Sequence, residues 1–198
     1  MLFRSEDIRN AAGDALREID SEWNQTEGAR VAISDLVKAL SSKDKSARDA
    51  ALNALETIDP QWRQSEGAQN AIPNLVNKLF DKDKAVQIAS AAAFGKMGPP
   101  AEKSVPHLAK VLSDKDKNLR YTAVQALGTM GPEAGEAIPQ IIKVLGDSHV
   151  RDTAIESLKN IGPASVPELV NALSDSDDDV RAASVQALDT IDPHWREG

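Results

Sequence analysis

Three histidines, His107, His149 and His194, and one carboxylate run, Asp175-Ser176-Asp177-Asp178-Asp179, are the side chains best equipped for chemistry. An open metal site needs about three convergent ligands. Here the histidines are followed by Leu108, Val150 and Trp195, so no ligand set forms. The carboxylate run has the outline of a calcium loop. That template requires glycine in sixth place and glutamate in twelfth, where this chain has Val180 and Gln186, so the run reads as a solvated turn that caps the next helix. Cysteine is absent, which removes disulfides, thiolate ligands and a cysteine nucleophile. No Gly-x-Ser-x-Gly elbow, phosphate loop or dinucleotide fingerprint is present. The expectation is a protein that binds without catalysing, with no cofactor and no metal.

Tryptophan supplies the other conspicuous chemistry. Trp23, Trp62 and Trp195 sit in a repeated phrase, Ile-Asp-x-x-Trp, that begins at Ile19, Ile58 and Ile191. After the first two copies the chain continues to Glu27-Gly28-Ala29 and Glu66-Gly67-Ala68, and the third breaks off at Glu197-Gly198. The favoured reading is a longer connection whose indole packs over helix ends, since large aromatics contribute most to packing. The alternative is a rim of indoles that grips a partner. Ending inside this phrase suggests a longer array or a poor terminal cap.

These groups hang on a repeat. The phrase apolar-Arg-x-x-Ala-x-x-x-Leu-x-x-(Ile/Met)-(Gly/Asp) starts at Ile8, Ala47, Val86, Leu119, Val150 and Val180, recurring after 39, 39, 33, 31 and 30 residues. Such periods mean a solenoid. Apolar residues make up 41% of the chain and aromatics 4%, which favours a core of Ala, Leu, Ile and Val between close helices. In each unit a first helix opens on proline (Pro73, Pro106, Pro139, Pro167, with Ser34 in the earliest) where its missing N–H costs nothing. A polar turn follows, then the second helix, and then a stop at Gly98-Pro99, Gly131-Pro132 and Gly162-Pro163, or at Asp20, Asp59 and Asp192. The expected elements are a lone helix at about 7–19 and helix pairs at about 32–58, 71–97, 104–130, 137–161 and 165–191, making one domain over residues 1–198.

Proline-x-Leu, an Asp-rich turn, Val-Arg-x-x-Ala and Gly-Pro together resemble the HEAT repeat, in particular the bacterial type found in phycobilisome-lyase-like proteins. The resemblance implies an all-α, right-handed α-α superhelix of about five helix pairs plus an N-terminal helix. It also implies a ladder in which turn aspartates accept hydrogen bonds from the Arg opening a neighbouring second helix. The matching residues are Asp44, Asp114, Asp116, Asp147, Asp175 and Asp177, with Arg48, Arg120, Arg151 and Arg181; Gln87 departs from the pattern. Some HEAT-like proteins are DNA glycosylases with a basic groove. None is visible here: 23 basic against 31 acidic residues give a net charge of −8, which repels phosphate backbones.

In such arrays the second helices usually line the concave side, where partners commonly lie. The residues expected there are Ile88, Ala92 and Lys96, then Tyr121, Gln125 and Thr129, then Asp152 and Glu156. Ile88 and Tyr121 have two readings: a contact patch within an acidic surround, or core residues leaning into the next repeat. Gly95 and Gly128 likewise mark close approach either by a partner or by a helix. The leading expectation is a cytoplasmic scaffold for a protein or peptide, basic or mixed in charge. No nucleic acid or membrane is expected as a partner, since no signal peptide or spanning stretch is evident. Self-association through the terminal repeats is a further expectation. Two alternatives stand beside it: a subunit of a bilin-handling enzyme, catalytic or not, and a structural spacer in a longer repeat protein.

Overall fold

The computed structural model describes residues 26–196. The expected lone helix at about 7–19 and Trp23 lie outside them. Ten helices in five pairs fill the described stretch: α1 (Glu27–Ala39) with α2 (Lys45–Ile58), α3 (Glu66–Leu79) with α4 (Lys84–Met97), α5 (Val105–Val111) with α6 (Lys117–Met130), α7 (Ile138–Lys143) with α8 (Arg151–Ile161), and α9 (Val166–Ala172) with α10 (Asp178–Ile191). There is no strand among the described residues. Tight 3-10 segments at Pro99–Ser104, Gly131–Ala137 and Pro163–Ser165 lead into α5, α7 and α9.

The ends of the helices follow from their sequences. Asp44, Asp83, Asp116 and Asp177 each accept a hydrogen bond from the backbone N–H two residues on, at 2.8–2.9 Å, and so cap α2, α4, α6 and α10. Gly98, Gly131 and Gly162 stop α4, α6 and α8 at φ of 65°, 65° and 89°, a conformation that costs a residue with a Cβ dearly. Pro106, Pro139 and Pro167 stand in the first turn of α5, α7 and α9.

Pro73 does not start its helix. α3 begins at Glu66 and carries Pro73 in its interior, and α1 begins at Glu27 where a start near 32 was expected. The cause is a stronger capping signal upstream: Thr26 accepts from the N–H of Ala29 and Ser65 from that of Ala68, each at 3.2 Å. Each is followed by a glutamate in the first turn. The Glu-Gly-Ala that ends the tryptophan phrase is therefore the opening turn of a helix rather than loop.

Leu55, Phe94, Leu127, Leu158 and Leu188 occupy the same position of successive second helices and are all fully buried, which gives the array its spine. α4 packs on α6 and α6 on α8 at close range. Ser157 donates from Oγ to the Val124 carbonyl at 2.9 Å, and a Cβ on Gly128 would lie 3.0 Å from the Ser157 Cα. The glycines at 95 and 128 thus serve helix-on-helix packing. α2 makes no comparable contact with α4; that junction is carried by α1 against α3 and by the tryptophan phrase.

The aspartate ladder exists in altered form. Arg120 donates from Nε to Asp147 of the next repeat at 2.9 Å, and Arg151 pairs with Asp179 at 3.0 Å. At the rung where Gln87 replaces arginine, Lys84 spans to Asp114 at 2.8 Å and restores the charge pair. Asp44, Asp116 and Asp177, expected on the ladder, instead cap their own helices, because a carboxylate two residues before a helical N–H is held there. Asp175 is held the same way by the Asp177 N–H at 2.9 Å. Arg48 bonds the carbonyls of Ser42 and Lys43 in its own turn, and Arg181 bonds that of Asp175.

Lys84, aided by the Asp116 N–H, holds the Asp114 carboxyl below the ordinary carboxylate range. For Asp147, burial pushes upward, but the His149 N–H and Arg120 outweigh it and the net shift is also downward. Carboxyls so lowered stabilise the fold above their unfolded values, and that stability is lost as pH falls through the lowered folded values. Asp147→Asn is expected to cost about 1–3 kcal/mol at neutral pH and to flatten the acid limb of a melting-temperature-versus-pH curve. Thermal melts of both proteins from neutral to acid pH check this; parallel curves would place the acid sensitivity elsewhere.

Candidate functional site

The even-numbered helices α4, α6 and α8 present one continuous face. Ala92 and Lys96 from α4 meet Gln125 and Thr129 from α6 around a hollow of about 180 Å³, which Gly95, Thr122 and Ala126 complete. The small residues make the hollow: a Cβ on Gly95 would stand 3.4 Å from the Ala126 Cα. Thr129 is committed locally, its Oγ1 donating to the Ala126 carbonyl at 2.7 Å. Gln125 is exposed, and its carboxamide offers donors and an acceptor to whatever lies above it.

The other four expected residues flank this hollow without lining it. Tyr121 is 43% exposed, which favours the contact reading. Ile88 is half-buried and packs against the core, so the core reading holds for much of its surface. Asp152 and Glu156 are exposed on α8; Glu156 is paired with Lys159 at 3.3 Å, while Asp152 has no ion pair among the described residues. Carboxylates on α2, nearer one end, are engaged within the chain. Lys45 donates to Asp49 at 2.7 Å and holds its carboxyl low, and Arg63 does the same for Glu56 at 2.7 Å.

A wider groove of about 970 Å³ lies along the rim where α4 ends, between Arg63, Gln69, Lys96, Pro100, Lys103 and Glu133. Nothing in the residue types alone singles it out. The one sequence signal is the recurrent Gly-Pro stop, which gathers the second-helix ends on one edge.

The tryptophan phrases form a repeated clamp. Trp62 is fully buried, with the Arg63 guanidinium 4.8 Å from its ring centre, and Arg63 grips Glu56, six residues before the indole. Arg63 also donates from Nε to the Lys96 carbonyl at 2.8 Å, tying the first pair to the second. Trp195 repeats the pattern half-buried: Arg196 lies 4.4 Å from its ring, and the indole N–H donates to Asp189 at 2.8 Å, again six residues back. Packing is therefore the role of Trp62. Trp23 is outside the described residues, and its phrase has Arg17 and Asn24 where the others have acid and arginine.

Among the described residues, no group of three or more His, Asp or Glu side chains could hold a metal ion, and no helix is long and apolar enough to cross a membrane. The family model for HEAT repeats matches residues 33–112 and 105–189. The chain belongs to the HEAT-repeat family. Among curated protein sequences none matches it. Solved structures do. The complex of CpcE and CpcF of phycocyanin lyase from Nostoc sp. is similar at 25% identity and TM-score 0.51, over 82% of this chain and 66% of that one. A designed armadillo repeat protein in complex with the peptide (KR)4 is similar at 19% identity and TM-score 0.51, over 92% and 91%. Importin beta is similar at 17% identity and TM-score 0.53, over 93% of this chain and 28% of that one. With this HEAT chain they share a helical-repeat solenoid.

Proposed function

We propose that this HEAT-repeat chain is a non-enzymatic scaffold that holds a basic or mixed-charge protein segment against the inner, concave face built by α4, α6 and α8. The observation that carries the reading is Tyr121, the sole tyrosine, which stands 43% exposed one helical turn before Gln125, whose carboxamide has no partner among the described residues, while Asp152 at the matching position of α8 has no ion pair among them. A tyrosine lends a large contact area and a hydroxyl at little entropic cost. Asp152 and Glu156 favour Lys or Arg in the bound segment, and the small residues of the central hollow admit a side chain or a backbone turn. That a helical-repeat protein of similar fold binds an alternating Lys-Arg peptide supports the same choice of ligand.

Tyr121→Ala is expected to weaken capture of a labelled Lys-Arg peptide about tenfold while moving stability by no more than about 0.5 kcal/mol. Fluorescence anisotropy and a thermal melt measure the two. A large fall in melting temperature with unchanged peptide binding would return Tyr121 to the core. The likeness to phycocyanin lyase supports a second reading, a bilin-handling subunit. Mixing the chain with a linear tetrapyrrole separates the two, because a shifted absorption band favours the lyase-like reading and an unchanged one the scaffold.

A further inference from the structure

On the first-helix side of the stack, α5 and α7 make little direct contact and leave a hollow of about 650 Å³. Its walls are Pro106, Ala109 and Lys110 of α5, with Glu136, Gln140 and Lys143 on and just before α7. There Oε1 of Gln140 is buried with no hydrogen-bond partner among the described residues. A buried acceptor without a donor costs free energy, which an N–H brought into the hollow would restore. Lys110 and Lys143 hold matching places in the last turns of their helices, both exposed and neither paired with a carboxylate among the described residues. Phe80 adjoins them. The turn that ends each first helix has Ser41, Ser113, Gly146 and Ser174 at this position, and an aromatic only here. Phe80 is 45% exposed, with the Lys110 Nζ 5.3 Å from its ring centre and the His107 ring edge-on at 6.2 Å.

We propose that this hollow is a second binding site, which takes an acidic peptide segment of a partner protein. Carboxylates of the segment pair with Lys110 and Lys143, and an apolar side chain covers Phe80. A backbone N–H donates to Oε1 of Gln140, which a turn about its broad χ3 brings to the wall. Neighbouring helices stand about 10 Å apart, which matches carboxylates three residues apart on a polyproline-II segment at ~3.1 Å per residue. The cation–π contact with Phe80 restrains Lys110 before anything binds, so less freedom is lost on binding. Glu136 is the one carboxylate on the wall. It lies seven residues before Lys143, about 10 Å away at ~1.5 Å per residue, so the hollow is basic at one end only. Two lysines on a chain of charge −8 suit a short acidic segment and not an extended polyanion such as nucleic acid or an anionic membrane. The α4, α6 and α8 face has the opposite preference, so the two sites select different segments.

The test is fluorescence anisotropy of a labelled peptide of three Glu-Ala-Pro units, titrated with the 198-residue chain. Saturable binding below ~1 mM is expected, weakening with added salt, with no binding of the matching Gln-Ala-Pro peptide. Lys143→Glu should weaken it about tenfold or more, because it sets a like charge against the segment. Gln140→Leu should weaken it several-fold without lowering the melting temperature, since the unpartnered oxygen leaves with the side chain. Tyr121→Ala should leave it unchanged. A chain that ignores the acidic peptide overturns the proposal, as does binding indifferent to Lys143→Glu or to Gln140→Leu. Phosphatidylserine vesicles that sediment the chain while the peptide stays free would reassign the surface to a membrane and overturn it too.

Discussion

Trp62→Ala is expected to destabilise the protein by about 3–5 kcal/mol, lowering the melting temperature by roughly 10 °C. The indole is fully buried, and its N–H lies 3.4 Å from Glu56. Removing it leaves a cavity where the array is least redundant. α2 has no extensive contact with α4, so the junction between the first two pairs depends on α1 against α3 and on this phrase. The Arg63 guanidinium, which covers the ring and donates to the Lys96 carbonyl, would lose the surface that positions it. The loss should therefore be local as well as large. Amide exchange in α1 and α2 is expected to accelerate ahead of α6 and α8, since a solenoid couples only neighbouring units. Trp195→Ala offers the comparison: half-buried and clamped by Asp189 and Arg196, it should cost only about 1 kcal/mol. Equal losses from the two substitutions would show that burial does not distinguish the copies.

The parts of the fold visible in the sequence are those whose residue type has one cheap conformation. Glycine at 98, 131 and 162 marks positive φ, and proline at 106, 139 and 167 marks a first turn. The leucine spine reports a helical period that nothing else reproduces. Legibility fails where two signals compete within a few residues. Around α3, Pro73 suggests a start near 71, yet Ser65 and Glu66 offer the backbone a cap and a favourable charge several residues sooner, and the helix takes them. The ladder is ambiguous for a similar reason. Every turn aspartate can cap its own helix or reach the preceding repeat, and only the path of the turn decides which, as Asp116 and Asp147 show. On the candidate face, Tyr121 and Gln125 are exposed as the helical period implies. Ile88 occupies the same place in the phrase as Tyr121 but is partly absorbed by the core, and one repeat's helical phase cannot be carried to the next where α2 and α4 stand apart.

The second large effect tests the closest helix approach in the first half of the array. A Cβ on Gly67 would lie 2.5 Å from the Arg30 carbonyl oxygen and 3.0 Å from the Ile33 Cβ. The first of these is backbone, so a rotamer change cannot relieve it; α1 and α3 must move apart. Overpacking of this kind costs up to about 3 kcal/mol, while replacing glycine by alanine inside a helix returns about 1 kcal/mol. The steric term wins, and Gly67→Ala is expected to destabilise the chain by about 2 kcal/mol net. Gly28 occupies the same Glu-Gly-Ala context one repeat earlier. There a Cβ would meet, among the described residues, only its neighbour Thr26 Oγ1 at 4.0 Å, so Gly28→Ala should be neutral or stabilising by up to about 1 kcal/mol. Urea unfolding of the two variants measures both signs at once. Gly67→Ala with wild-type stability would mean that the two helices can slide apart freely, and the junction would then rest on Trp62 and its clamp alone.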